Sequence, residues 1–138
     1  MDLTRFLTAQ EHTYEMAKQE ISNGRKASHW MWFIFPQLIG LGFSASSQYY
    51  AIHSLDEAKQ YFQHPILGKR LLEITQIVLN CANPNICESF SEIDAMKLKS
   101  CMTLFWYTSK NPIFVEVINK YFEGQFCEYS ECFCSNNI

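Results

Sequence analysis

Leu98-Lys99-Ser100-Cys101-Met102-Thr103-Leu104-Phe105-Trp106 and, beyond a break at Asn111-Pro112, Phe114-Val115-Glu116-Val117-Ile118-Asn119-Lys120-Tyr121-Phe122 decide the fold class. The apolar residues recur at i, i+3, i+4, i+7 and i+8 in both stretches. Leu98, Cys101, Met102, Phe105 and Trp106 form the first set, and Phe114, Val117, Ile118, Tyr121 and Phe122 the second. At 3.6 residues per turn this spacing gathers each set on one helical face, whereas a strand would alternate every second residue. Both sets read as core stripes of amphipathic helices. Asn111 can cap the second helix, with Pro112 at its first position and Gly124 just past its end.

Outward from these stripes the punctuation is again helical. Thr8 with Glu11, and Ser54 with Glu57, fit the capping box, in which a hydroxyl and a carboxylate three residues on satisfy amides at a helix start. They predict two helix starts, the first helix running to about Asn23 and stopping at Gly24. His64-Pro65 ends the Ser54 helix, and the next carries Leu71, Ile74, Val78 and Cys81 before ending ahead of Asn83-Pro84. Short helices with short connections predict an all-α fold, a single compact domain built as an orthogonal array of about six to seven short helices. The helical domain is expected over residues 1–124. Residues 125–138 contain Cys127, Cys132 and Cys134 but show no helical apolar period, which predicts a loosely ordered C-terminal tail.

Composition narrows the function classes. A chain of 138 residues suits one hydrophobic core, and 48% apolar with 15% aromatic residues supplies it. A net charge of -3 without a basic block argues against nucleic acid as a partner. The most apolar stretch, Trp30 to Phe43, is interrupted by Pro36, Gln37, Gly40 and Gly42, so no membrane span is expected. The chain opens on polar, helix-compatible sequence without a secretory signal, which predicts a cytoplasmic protein with free thiols. The C-x4-C-x-C cluster at Cys127, Cys132 and Cys134 lacks the fourth ligand of tetrahedral zinc, and no metal or cofactor is expected. G-x-S-x-G, Walker, H-E-x-x-H and G-x-G-x-x-G signatures are all absent from the sequence.

The most unusual stretch is Ser28-His29-Trp30-Met31-Trp32-Phe33-Ile34-Phe35-Pro36-Gln37, continued by Leu38-Ile39-Gly40-Leu41-Gly42. Gly24-Arg25-Lys26 precede it, and Ser44 and Tyr50-Ala51-Ile52 follow. Glu57-Ala58, Tyr61, His64-Pro65, Leu67-Gly68 and Arg70-Leu71 continue the pattern, then Asp94, Lys97-Leu98, Ser100 and Met102-Thr103-Leu104-Phe105. With these residues, over roughly 6 to 124, the chain resembles the bacterial domain-of-unknown-function 1810 family. The resemblance implies an all-helical single domain and brings no established activity. Some bacterial relatives carry the label calpastatin, yet nothing in this chain looks like a disordered protease-inhibitor repeat. After Gly124 the chain departs from the family pattern, in which an acidic residue and a Thr-Leu segment follow.

Read physically, a short helix or turn opening at Ser28 puts Trp30, Phe33 and Ile34 on one side and leaves His29, Trp32 and Gln37 elsewhere. The string is then either the centre of the core or the wall of a ligand pocket. As a wall, Trp30 and Trp32 offer indole faces for a planar group, His29 and Gln37 directional polar contacts, and Arg25 and Lys26 an anion site. Asp94 follows Ser91 at capping-box spacing yet shares a side with Leu98, Cys101 and Phe105, so it needs a cationic partner, among Lys97, Arg25, Lys26 and His29. Ser100 and Thr103 lie on an adjacent polar strip. The candidate site is therefore His29 and Asp94 as catalytic acid and base, with Arg25, Lys26, Trp30, Trp32, Gln37, Lys97, Ser100 and Thr103 as ligand-binding residues. Three function classes stay open: an enzyme acting on a small planar or nucleotide-like metabolite, a module binding a small molecule or peptide without chemistry, and a structural or protein-interaction role that includes a homo-oligomer.

Overall fold

Capping residues and prolines divide the chain into helices. The computed structural model describes residues 2–81 and 83–137. Among these residues the elements are α1 (Thr4–Glu11), α2 (Tyr14–Ser22), α3 (Met31–Ile34), α4 (Ala45–Tyr49), α5 (Leu55–Gln63), α6 (Leu67–Leu79), α7 (Ile86–Phe90), α8 (Glu92–Ser109), α9 (Pro112–Tyr121) and α10 (Glu128–Asn136). The result is an all-α single domain. The excess over six to seven helices comes mainly from α3, α4 and α7, each of only four or five residues.

Several predicted ends are in place. Ser54 Oγ accepts from the Glu57 amide at 3.1 Å to open α5, and Asn111 Oδ1 accepts from the Ile113 amide at 3.0 Å to open α9. Gly24 and Gly124 take φ of 78° and 76° just past α2 and α9, the left-handed conformation that closes a helix. Thr8 does not open a helix. The Asp2 carboxylate already accepts from the Thr4 amide at 2.8 Å, so α1 starts one turn earlier. The chain then turns at His12-Thr13, because α1 packs on α3 whereas α2 packs on α6.

The stripe read on α8 is only part of its burial. Ala95, Leu98 and every residue from Ser100 to Phe105 are buried, because α3, α5, α7, α9 and α10 all pack on this helix. Phe105 sits between Tyr61 of α5 and Phe114 of α9, with ring centroids 5.5 and 5.9 Å away. On α9, Phe114, Val117 and Ile118 are buried and Tyr121 and Phe122 half-buried.

The segment expected as a loosely ordered tail forms α10 and packs along α8. Thr103 Oγ1 accepts from the Cys127 amide at 3.0 Å, Cys127 Sγ lies 3.2 Å from Ser100 Oγ, and Tyr107 Oη donates to Glu131 Oε2 at 2.7 Å. The buried face of α10 consists of Ser130 and Cys134, with Phe133 half-buried beside them. Small residues at i and i+4 make a packing surface that carries no apolar stripe to read.

A carboxylate on α2 sets the course of the aromatic string. Glu20 Oε1 accepts from the amides of Ala27 and Ser28 at 2.7 and 2.9 Å and from Trp30 Nε1 at 2.9 Å, while Oε2 accepts from Ser28 Oγ at 2.7 Å. Burial opposes its ionisation, but the four donors prevail and hold its pKa at about 2 against an ordinary 4.5. Trp30 is thereby fixed in the core, packed on Phe35 and Phe90.

Truncation after Gly124 is expected to leave a less stable domain, by roughly 3 kcal/mol for the lost burial of one or two side chains. Denaturant midpoints of the full and shortened chains check this; equal midpoints would mean that α10 adds nothing to the fold. Glu20→Gln is expected to cost about 2 kcal/mol at neutral pH, since hydrogen bonds to a charged acceptor are lost. Because the folded pKa is depressed, the stabilisation is complete above about 4.5 and fades as pH falls towards about 2. The melting-temperature gap between wild type and variant should therefore shrink across that window, and a gap constant with pH would show that the charge is not what matters.

Candidate functional site

Downstream of α3 the backbone folds back on itself. The Ile52 amide donates to the Gln37 carbonyl at 2.8 Å and the Ile39 amide to the Ile52 carbonyl at 2.9 Å, so the parallel bridge of Leu38 and Ile52 closes the loop between them. Arg5 of α1 holds the returning limb, donating to the carbonyls of Tyr49 and Ala51 at 2.9 and 2.8 Å and to Glu57 Oε2 at 3.1 Å. From the other side, Tyr129 Oη of α10 donates to the Ile39 carbonyl at 2.8 Å. Gly40 turns there with φ of 100°, and a Cβ at that position would collide with the Tyr129 hydroxyl.

The closed loop borders a partly open cavity of about 280 Å³. Leu38, Leu41, Phe43 and Tyr50 line it from the loop, and Trp32, Gln37 and Lys97 from α3, its C-terminal extension and α8. A shallower cleft of about 520 Å³ carries Arg5, His53 and Glu57, but there the guanidinium is already committed to backbone carbonyls and to Glu57.

Behind the cavity lies a three-membered ion cluster. Asp94 Oδ2 is 2.9 Å from Lys26 Nζ and Oδ1 is 3.3 Å from Lys97 Nζ. Lys26 also donates to the Ser28 carbonyl and sits 4.8 Å over the Trp30 ring; its side chain is only 7% exposed. Lys97 lies 4.5 Å over the Trp32 ring and remains 25% exposed. Ser91 places Asp94 on the first turn of α8: its Oγ accepts from the Asp94 amide at 3.2 Å. Its own φ of 82° and ψ of 160° belong to a region that favours glycine, and the contact of the Lys26 amide with the Ser89 carbonyl at 2.6 Å helps to hold it there.

The structure thus brings Lys26, Trp32, Gln37, Asp94 and Lys97 together and separates the other candidates. Arg25 and His29 are exposed, and the partners of Asp94 are the two lysines. Trp30 is fully buried and bonded to Glu20. Ser100 and Thr103 are buried, donating to the carbonyls of Met96 and Lys99 and engaging Cys127, so they anchor the start of α10. The loop residues Leu41, Phe43 and Tyr50 were not among the sequence candidates; Gly40-Leu41-Gly42 reads locally as a flexible turn, and its role depends on the bridge to Ile52. Glu20 lies ten residues from Trp30 across a turn, and no local motif joins the two. Chemically, the assembled groups offer a cation, an indole and an amide beside an apolar surface. Among the described residues, no group of three or more His, Cys, Asp or Glu side chains is placed to hold a metal ion, and no helix is long and apolar enough to cross a membrane.

The fold is shared with a solved structure, the conserved hypothetical protein Rv1873 from Mycobacterium tuberculosis. The two are 43% identical with a TM-score of 0.92, over 95% of this chain and 94% of that one. No curated protein sequence matches the chain. The model of the family described as protein of unknown function (DUF1810) matches residues 1–132, almost the whole helical array including most of α10, and the chain belongs to that family.

Proposed function

We propose that this protein binds a small planar molecule, one or two rings in size, in the cavity between Trp32 and the loop closed by Leu38 and Ile52. The observation that carries the reading is the lining itself: a loop face of Leu38, Leu41, Phe43 and Tyr50 with the hydroxyls of Ser44 and Ser47, opposite an indole, an amide and one ammonium group. Ligand sites are mostly apolar concavities with a few placed polar groups, and about 280 Å³ lies just below their usual range of roughly 300–1,000 Å³. A dinucleotide is too large for it. The binding reading is favoured over acid–base chemistry because His29 is exposed and Asp94 is engaged by two lysines, which leaves no proton-exchanging pair at the cavity. The six cysteines are all free, which supports a reducing, cytoplasmic setting.

A second reading, an interaction module, draws on the exposed apolar side chains of Phe43, Ile93 and Met96, which are 86%, 72% and 56% accessible.

Thermal shift against indole, benzamide, benzoate, nicotinamide and adenosine, at millimolar concentration, tests the binding reading. At least one compound should raise the melting temperature of wild type, by about 2.7 kcal/mol of stabilisation at 100 times its dissociation constant. Leu41→Trp, which fills the cavity from its loop side, should fold and lose that response. Equal responses in both proteins would place binding elsewhere. No response to any compound would remove the ligand reading and favour the interaction module.

A further inference from the structure

We infer that the cavity selects an anionic ligand, a ring carrying a carboxylate or an equivalent acid group, and that Lys97 is the residue that imposes the selection. The inference rests on reading the cavity as a ligand site. Lys97 is the one charged side chain lining the cavity among the described residues. Its charge is only half balanced. Asp94 gives one oxygen to Lys97 at 3.3 Å and the other to Lys26 at 2.9 Å, so one carboxylate serves two ammonium groups and the cluster carries a net charge of about +1.

The surplus resides on the cavity side. Lys26 is 7% exposed and has a further acceptor in the Ser28 carbonyl, whereas Lys97 is 25% exposed and has only the face of Trp32. Glu20 of α2 stays ionised among four neutral donors, but it faces Ala27, Ser28 and the Trp30 indole and forms no ion pair with Lys97, whose carboxylate partner is Asp94. An acid group placed against Lys97 Nζ completes its coordination and brings an attached ring alongside Trp32. A neutral amide of the same shape leaves the surplus charge in an apolar, partly enclosed place, where it costs more than it does in water.

Benzoate and benzamide form a matched pair for the test, with binding measured calorimetrically on the full chain. Benzoate should bind wild type at least about tenfold more tightly than benzamide, the scale of one hydrogen bond to a charged group. Lys97→Met keeps the aliphatic stem over Trp32 and should abolish that preference, through a loss of about tenfold in benzoate affinity. Asp94→Asn should act in the opposite direction and tighten benzoate alone; if that variant fails to fold, Lys97→Met decides. Equal affinities of wild type for the two compounds overturn the inference and leave the ligand reading standing. So does a Lys97→Met variant that weakens both alike, since Lys97 then only packs. Failure of both compounds to bind wild type at millimolar concentration overturns this inference, and the ligand reading falls with it only if indole, nicotinamide and adenosine are silent too.

Discussion

Burying the indole of Trp30 leaves its N–H in need of an acceptor, and Glu20 supplies it at 2.9 Å while also collecting two backbone amides and a hydroxyl from the same turn. A buried donor without a partner costs about 1–3 kcal/mol, so this one carboxylate decides which tryptophan of the string goes inside. With Trp30 committed, Met31, Ile34 and Phe35 follow it into the core, and Trp32 is turned to the other side, where it is half-buried. The reading of the string as core fits Trp30, Met31, Ile34 and Phe35, whereas Trp32 lines the cavity.

Asp94 makes the second tie. By pairing with Lys26 ahead of the string and Lys97 on its own helix, it joins the entrance of the string to α8, the helix on which most of the domain packs. A buried ion pair adds little net stability, because desolvation offsets attraction, but it rejects arrangements that leave either charge alone. Here that selectivity sets the position of Lys97 over Trp32, and so the floor of the cavity. The loop side depends on distant elements: Arg5 from α1 holds the returning limb, and Tyr129 from α10 holds the outgoing one.

Helical periodicity made the fold class legible, and the stripes at Leu98 and Phe114, the Ser54 and Asn111 caps and the two terminal glycines lie where local physics puts them. Legibility failed where tertiary contacts substitute for local ones. α10 escaped notice because its packing face is serine and cysteine, and α8 is buried on sides that a single stripe does not reveal. The need of Asp94 for a cation was readable from its position, and Lys26 and Lys97 were among its named candidates. Ser100 and Thr103 look polar and available in sequence, yet back-bond to their own helix and hold Cys127. The loop from Leu38 to Ile52 carries no local signal of closure, since two hydrogen bonds between residues far apart in the chain create it.

Of the three tryptophans, Trp32 lines the cavity proposed to hold the ligand, and Trp30 and Trp106 do not. Indole N–H resonances in a ¹H–¹⁵N spectrum report all three separately, with Trp32→Phe assigning the signal in question. On titration with benzoate the Trp32 resonance should move progressively, while that of Trp30, bonded to Glu20, and that of Trp106 stay in place. A titration that leaves Trp32 unmoved, or shifts Trp106 in its stead, would contradict the account.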